Sequence, residues 1–248
     1  MTHLIALLLG LAATTAPADP PTYRCRSATA PVVIDGKPDD AAWSRAAWTA
    51  DFSDILGHDR PAPPLRTRAK LLWDEKCLYL AVEMQEPDVR GEMVQRDDPL
   101  YRENAFELFL DPDDDGREYL ELEINARGTI FDLVMSRPYS ERGRKREAFT
   151  IEGMKSAVHV NGTLNDPSDR DRGWTIELAI PWAALKELSP DAVPPKAGAR
   201  MRMNLARTHF ERAEGAGKGK VYAWSPLGEM NLHAPRRWGY LELVKSSE

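Results

Sequence analysis

Cys77-Leu78-Tyr79-Leu80-Ala81-Val82-Glu83-Met84 decides the fold class. In an extended chain successive side chains point to opposite faces, so Leu78, Leu80, Val82 and Met84 form one apolar face. Tyr79, Ala81 and Glu83 form the other. The same period of two returns along the chain. Leu120, Leu122 and Ile124 alternate with Tyr119, Glu121 and Glu123, and Ile176, Leu178 and Ile180 with Thr175, Glu177 and Ala179. Met201, Met203 and Leu205 alternate with Arg202, Asn204 and Ala206. Turn formers separate such runs: Asp113-Asp114-Asp115-Gly116, Ala126-Arg127-Gly128 and Asn165-Asp166-Pro167-Ser168. Roughly ten to twelve short strands of this kind predict an all-β chain, a single-domain antiparallel β-sandwich or a related barrel. Helical spacing is confined to short pieces at 39–45 and 182–188.

Composition agrees. The 248 residues carry 39 acidic and 33 basic side chains, and 42% are hydrophobic, enough for a core. The formal charge of −6 argues against nucleic acid as a partner, which needs a basic face to displace counterions from phosphates. No apolar run reaches the roughly 20 residues that span a bilayer.

The apolar run at 4–13 (LIALLLGLAA) is followed by Ala16-Pro17-Ala18, the small-residue pattern read by signal peptidase. This predicts a signal peptide over 1–18, although its start holds Thr2 and His3 rather than Lys or Arg, and a mature domain over 19–248. The protein is then exported, periplasmic or extracellular. In an oxidising compartment Cys25 and Cys77, the whole cysteine complement, are expected to form one disulfide. The absence of C-x-x-C leaves a structural zinc site or a redox motif without support.

Charge gathers opposite the apolar faces. Arg66, Arg68 and Lys70 share one side of their strand, and Glu107, Glu121, Glu123, Glu177, Arg202 and Asn204 lie outward in theirs. If these strands are neighbours they make one polar face of mixed sign. Such a face is either a solvated surface with cross-strand ion pairs or a groove that hydrogen-bonds the hydroxyls of a polar ligand. Asp111-Pro112-Asp113-Asp114-Asp115-Gly116 matches the first half of an EF-hand loop, but Leu122 stands where the bidentate glutamate belongs. Two readings follow, an acidic turn or calcium held by Asp111, Asp113 and Asp115. The glycines of 215–219 match neither a P-loop nor a dinucleotide fingerprint, and neither G-x-S-x-G nor H-E-x-x-H occurs.

Six ordered motifs carry a family resemblance. They are Ile34-Asp35-Gly36-Lys37-Pro38-Asp39-Asp40-Ala41-Ala42-Trp43, Ala69-Lys70-Leu71-Leu72-Trp73-Asp74, and Glu86-Pro87 after a Leu-Tyr-Leu strand. Then come Glu103-Asn104-Ala105-Phe106-Glu107-Leu108-Phe109-Leu110-Asp111, Gly173-Trp174-Thr175-Ile176-Glu177-Leu178-Ala179-Ile180-Pro181-Trp182 and Trp238-Gly239-Tyr240-Leu241. From Val33 to Val244 the chain resembles carbohydrate-binding module family nine and its secreted relatives.

The resemblance implies a sandwich with immunoglobulin-like or DOMON-like layers that binds an oligosaccharide or polysaccharide without cleaving it, gripping the sugar between aromatic rings while polar groups meet its hydroxyls. It places the binding glutamate at Glu107 and the first stacking ring at Tyr101, where the family carries tryptophan. It places a polar contact at Asn204 and puts Glu123 where an arginine is expected. Leu232 and His233 stand where a second tryptophan belongs, and a longer loop brings in Arg96. Calcium is a known accompaniment of the family. The alternatives are a haem-binding electron-transfer sandwich using His209 or His233 with Met84, Met203 or Met230, a weak O-glycosyl hydrolase working through a carboxylate pair, and a domain that docks a protein partner.

Overall fold

The computed structural model describes residues 19–211 and 219–246; the expected signal peptide lies outside them. Thirteen strands form a sheet that curls back on itself. They are β1 (Thr22–Ser27), β2 (Ser53–Asp54), β3 (Thr67–Trp73), β4 (Cys77–Met84), β5 (Ala105–Asp111), β6 (Tyr119–Asn125) and β7 (Ile130–Met135). Then follow β8 (Lys145–Arg146), β9 (Lys155–Asn161), β10 (Gly173–Pro181), β11 (Arg200–His209), β12 (Lys220–Ala223) and β13 (Gly239–Val244). The strand order is β8-β7-β6-β5-β11-β13-β1-β3-β4-β10-β9, with β12 bridging β11 and β2. The short helical spacings become a single 3-10 turn, Ala41–Arg45, and the one-turn helix α1, Trp182–Leu185.

The alternating apolar faces meet in one core. Phe106, Leu108 and Leu110 of β5 and Leu120, Leu122 and Ile124 of β6 pack with Leu71, Leu78, Leu80, Val82, Ile176, Leu178 and Ile180 of the facing layer, all fully buried. Each such side chain contributes about 1.5–3 kcal/mol by leaving water. The sheet is antiparallel except at β1, which runs parallel to both β13 and β3. Alternation reports which face a side chain takes and says nothing of strand direction.

Two expectations are corrected here. Cys25 and Cys77 are free thiols. Cys25 points into the core beside Leu71, whereas Cys77 shares the outward face of β4 with Tyr79, so the two lie on opposite sides of the sheet with β3 between their strands. The charged strands also do not make one face. Arg66 and Arg68 pair with Glu83 at 2.7 and 3.0 Å on the outside of the β3-β4-β10 layer, whereas Glu107, Glu121, Glu123 and Asn204 lie on the outside of the β5-β6-β7-β11 layer.

The opening motif has a local cause. Glu177 of β10 accepts hydrogen bonds from the Asp35 and Gly36 backbone N–H groups (3.0 and 2.9 Å) and from Trp43 Nε1 (2.7 Å). Gly36 has φ +87°, and a Cβ there would stand 2.8 Å from the Val158 backbone of β9. Glycine alone fits this turn.

Candidate functional site

The outer face of β5, β6, β7 and β11 forms the floor of a cleft of about 410 Å³. Its position follows from strand parity. With Phe106 and Leu108 turned to the core, Glu107 and Phe109 must face outward; likewise Glu121 and Glu123 on β6, Phe131 and Leu133 on β7, and Thr208 on β11. Register then sets neighbours: Glu107 lies directly across from Glu123, and Glu123 across from Phe131.

The segment before β13 builds one wall. Trp238 is fully buried, packs edge-on to Tyr119 at 5.1 Å and beside Phe109 at 5.5 Å, and donates from Nε1 to the Leu232 carbonyl at 2.8 Å. A Cβ on the following Gly239 would come within 2.6 Å of the Trp224 ring, which explains the Trp-Gly pair. His233 is thereby held against Phe109 and Tyr139, with ring centroids at 5.7 and 4.6 Å, and its Nδ1 is hydrogen-bonded to the Tyr119 hydroxyl at 3.0 Å. Burial lowers the imidazole pKa to about 4. Two rings stand at the cleft with much of their surface in water, Tyr101 at 44% and Tyr139 at 49% exposure.

Three carboxyl groups occupy the floor. One oxygen from each of Glu107, Glu121 and Glu123 lies within 4.8 Å of the others, and all three residues are buried. Burial pushes Glu107 up to about 7, against an opposing hydrogen bond donated by Thr208 Oγ1. Glu121 rises to about 8 through burial and then the neighbouring Glu107. Glu123 is driven well up by burial, then by Glu107 and Glu121. Neither oxygen of Glu123 accepts a hydrogen bond of good geometry. Lys145 lines the cleft but pairs with Glu147.

Of the residues singled out in the sequence, Tyr101, Glu107, Glu123 and His233 come together in this cleft. Asn204 and Arg96 do not line it. Asn204 faces the same side as Glu107, but its Nδ2 donates to the Ser225 carbonyl (3.0 Å) and its Oδ1 accepts from the Leu205 and Ser225 backbone N–H groups (2.9 and 3.1 Å). Fully buried and engaged at both ends of its amide, it ties β11 to the segment after β12. Arg96 pairs with Asp132, which β7 parity turns away from Phe131 and Leu133. Glu121, Phe109, Phe131, Tyr139 and Thr208 are among the other residues that line the cleft, and of these five only the first was visible in the sequence as an outward charge. Tyr139 arrives from a loop with no periodic signal.

In the acidic turn, one oxygen each of Asp111, Asp113 and Asp115 lies within 4.8 Å of the others. Buried Asp111 accepts the Gly116 N–H at 2.8 Å through Oδ2, while its Oδ1 has no partner. Burial pushes the Asp111 carboxyl up to about 7. Asp113 accepts from Ser189 Oγ at 2.6 Å. This donor set, all oxygen and one buried orphan, fits calcium. Of the residues named for the haem alternative, His209 Nδ1 lies 3.1 Å from Glu86, inside the buried Arg207–Glu86 pair, and Met84 and Met203 are buried in the core, whereas His233 and Met230 both line the cleft.

A β-sandwich with a cleft on one sheet face, ring-walled and floored by hydrogen-bonding carboxyls, has the build of a carbohydrate-binding domain. The family described as carbohydrate family 9 binding domain-like matches residues 34–246, and the chain belongs to it. A relative, Exoglucanase XynX of Acetivibrio thermocellus, is 25% identical over 158 residues, 63% of this chain but 12% of that enzyme. The chain therefore spans a small part of that relative's length. Among solved structures, a family 9 carbohydrate-binding module from Caldicellulosiruptor kristjanssonii in complex with cellotriose superposes with TM-score 0.61 at 17% identity, covering 92% of this chain and 95% of that one. A putative carbohydrate-binding protein from Bacteroides uniformis gives 0.67 at 16% identity, covering 90% and 99%. At such identities the likeness speaks for the fold. Among the described residues no helix is long and apolar enough to cross a membrane.

Proposed function

We propose that the protein binds an oligosaccharide or polysaccharide in this cleft without cleaving it, and so assists glycan breakdown or uptake outside the cytoplasm. The observation that carries this reading is the pair of half-exposed rings, Tyr101 and Tyr139, beside the carboxyl floor. Sugar C–H faces pack on aromatic rings, and hydroxyls need directed partners; a site built to pair them rejects analogues that lack them. The family and the cellotriose-bound neighbour support a glycan ligand, and the exoglucanase relative supports a setting of polysaccharide degradation. Export rests on the apolar run at 4–13. A structural calcium at Asp111, Asp113 and Asp115 belongs to the same reading.

A binding screen of the folded protein against β-glucan, xylan, mannan and bacterial polysaccharides tests it. A selective hit lost in Tyr101→Ala and Tyr139→Ala is the expected result. A blank from folded protein, or a hit insensitive to both substitutions, overturns the assignment of this cleft.

A further inference from the structure

We propose that Glu107, Glu121 and Glu123 hold a divalent, oxygen-seeking cation at the floor of the cleft. Three independent observations converge. The first is geometric: oxygens that share one ion at about 2.3–2.6 Å lie within about 5 Å of each other, and one oxygen of each glutamate meets that limit at 4.8 Å or less.

The second is an unsatisfied group. Glu123 is 0% exposed and lines the cleft, and neither of its carboxylate oxygens has a hydrogen bond of good geometry, the Tyr101 backbone and the Glu121 carboxyl being its polar neighbours. A buried carboxylate without a donor or counter-charge is strongly unfavourable, and protein interiors rarely leave one in that state.

The third is the missing counter-charge. Among the described residues no lysine or arginine lies within ion-pair distance of the three carboxyls. Lys145 is engaged by Glu147, and the other basic group nearby, His233 Nε2 at 3.8 Å from Glu121, has its Nδ1 on the Tyr119 hydroxyl. Glu107 and Glu123, directly opposed across two strands, repel each other as anions. A cation between them turns that opposition into shared ligation. Thr208 Oγ1, bonded to Glu107, orients that carboxylate from the adjoining strand.

All-oxygen donors select calcium, manganese or magnesium over softer metals. Calcium fits best, because its six to eight ligands tolerate irregular geometry and the open cleft leaves positions for water or for hydroxyls of a bound ligand. The site is separate from the acidic turn at Asp111, and cation binding does not depend on the glycan reading.

The test is calorimetric titration of calcium chloride, and separately manganese chloride, into chelator-stripped full-length protein, with Glu123→Gln and Glu121→Gln beside it. Wild type is expected to bind one more equivalent than either variant, or to bind it more than tenfold tighter, while the variants keep wild-type secondary structure and the acidic-turn site. Identical isotherms for wild type and both folded variants would overturn the proposal. So would tight binding of glucosamine in chelator, lost in Glu123→Gln, with no calcium heat from the cluster: the trio would then be an ammonium site. Glycan binding measured in chelator fails or succeeds separately, so either reading can fall without the other.

Discussion

Glu107 and Glu123 face each other as direct cross-strand partners on β5 and β6, both buried, with Glu121 beside them. Three carboxyls so placed resist ionisation. Thr208, His233, Tyr101, Tyr119, Tyr139, Asn231 and Lys145 are polar and titratable groups around them, and none makes an ion pair of full positive charge with the three.

A pH dependence follows for cation-free protein. Glu107 and Glu121 hold their protons to about pH 7 and 8 when folded, against 4.5 for an unperturbed glutamate. Between those values the unfolded chain binds fewer protons than the folded one, so stability is full below about pH 4.5 and falls as pH rises toward 8. Thermal melts in chelator from pH 5 to pH 8 should show a falling midpoint. Glu123→Gln should flatten that slope and raise the midpoint at pH 8, by about 2–4 °C for each kcal/mol regained. A midpoint that rises with pH would contradict it.

Ring contacts and backbone ties separate by mutation. Tyr101→Ala and Tyr139→Ala should each weaken glycan binding more than tenfold, about 1.4 kcal/mol, with unchanged melting. Asn204→Ala should do the reverse. It strands three backbone groups, the Ser225 carbonyl and N–H and the Leu205 N–H, costing on the order of 2 kcal/mol in urea unfolding, while glycan affinity stays within about twofold.

Glu177→Ala should destabilise the sandwich by on the order of 3 kcal/mol, because the Asp35, Gly36 and Trp43 donors lose their shared acceptor. Urea denaturation monitored by tryptophan fluorescence reads this directly. A loss under 0.5 kcal/mol would mean that the opening motif is not anchored there.

The cysteines give a chemical check. Without reductant, native protein should show a single slowly reacting thiol, the half-buried Cys77, with Cys25 appearing only on unfolding. Burial raises both thiol pKa values, Cys25 most of all. Failure to detect two thiols in denaturant would reinstate the disulfide.

What the sequence determined by itself is local. The alternation of Leu78-Leu80-Val82 against Tyr79-Ala81-Glu83 specifies a strand and its two faces, because the pleat repeats every two residues. The same logic put Glu107 and Glu123 outward, and the motifs around Trp43, Glu107 and Trp238 identified the family. Tertiary structure alone decided which outward faces share a layer. Parity cannot say that β5 pairs with β6 in the register that opposes Glu107 to Glu123, that Tyr139 swings beside His233, or that Asn204 turns its amide to Ser225. Nor can it say that Cys25 and Cys77 fall on opposite sides of one sheet. Those outcomes depend on contacts between residues far apart in the chain, chosen by how the whole core packs rather than by any local pattern.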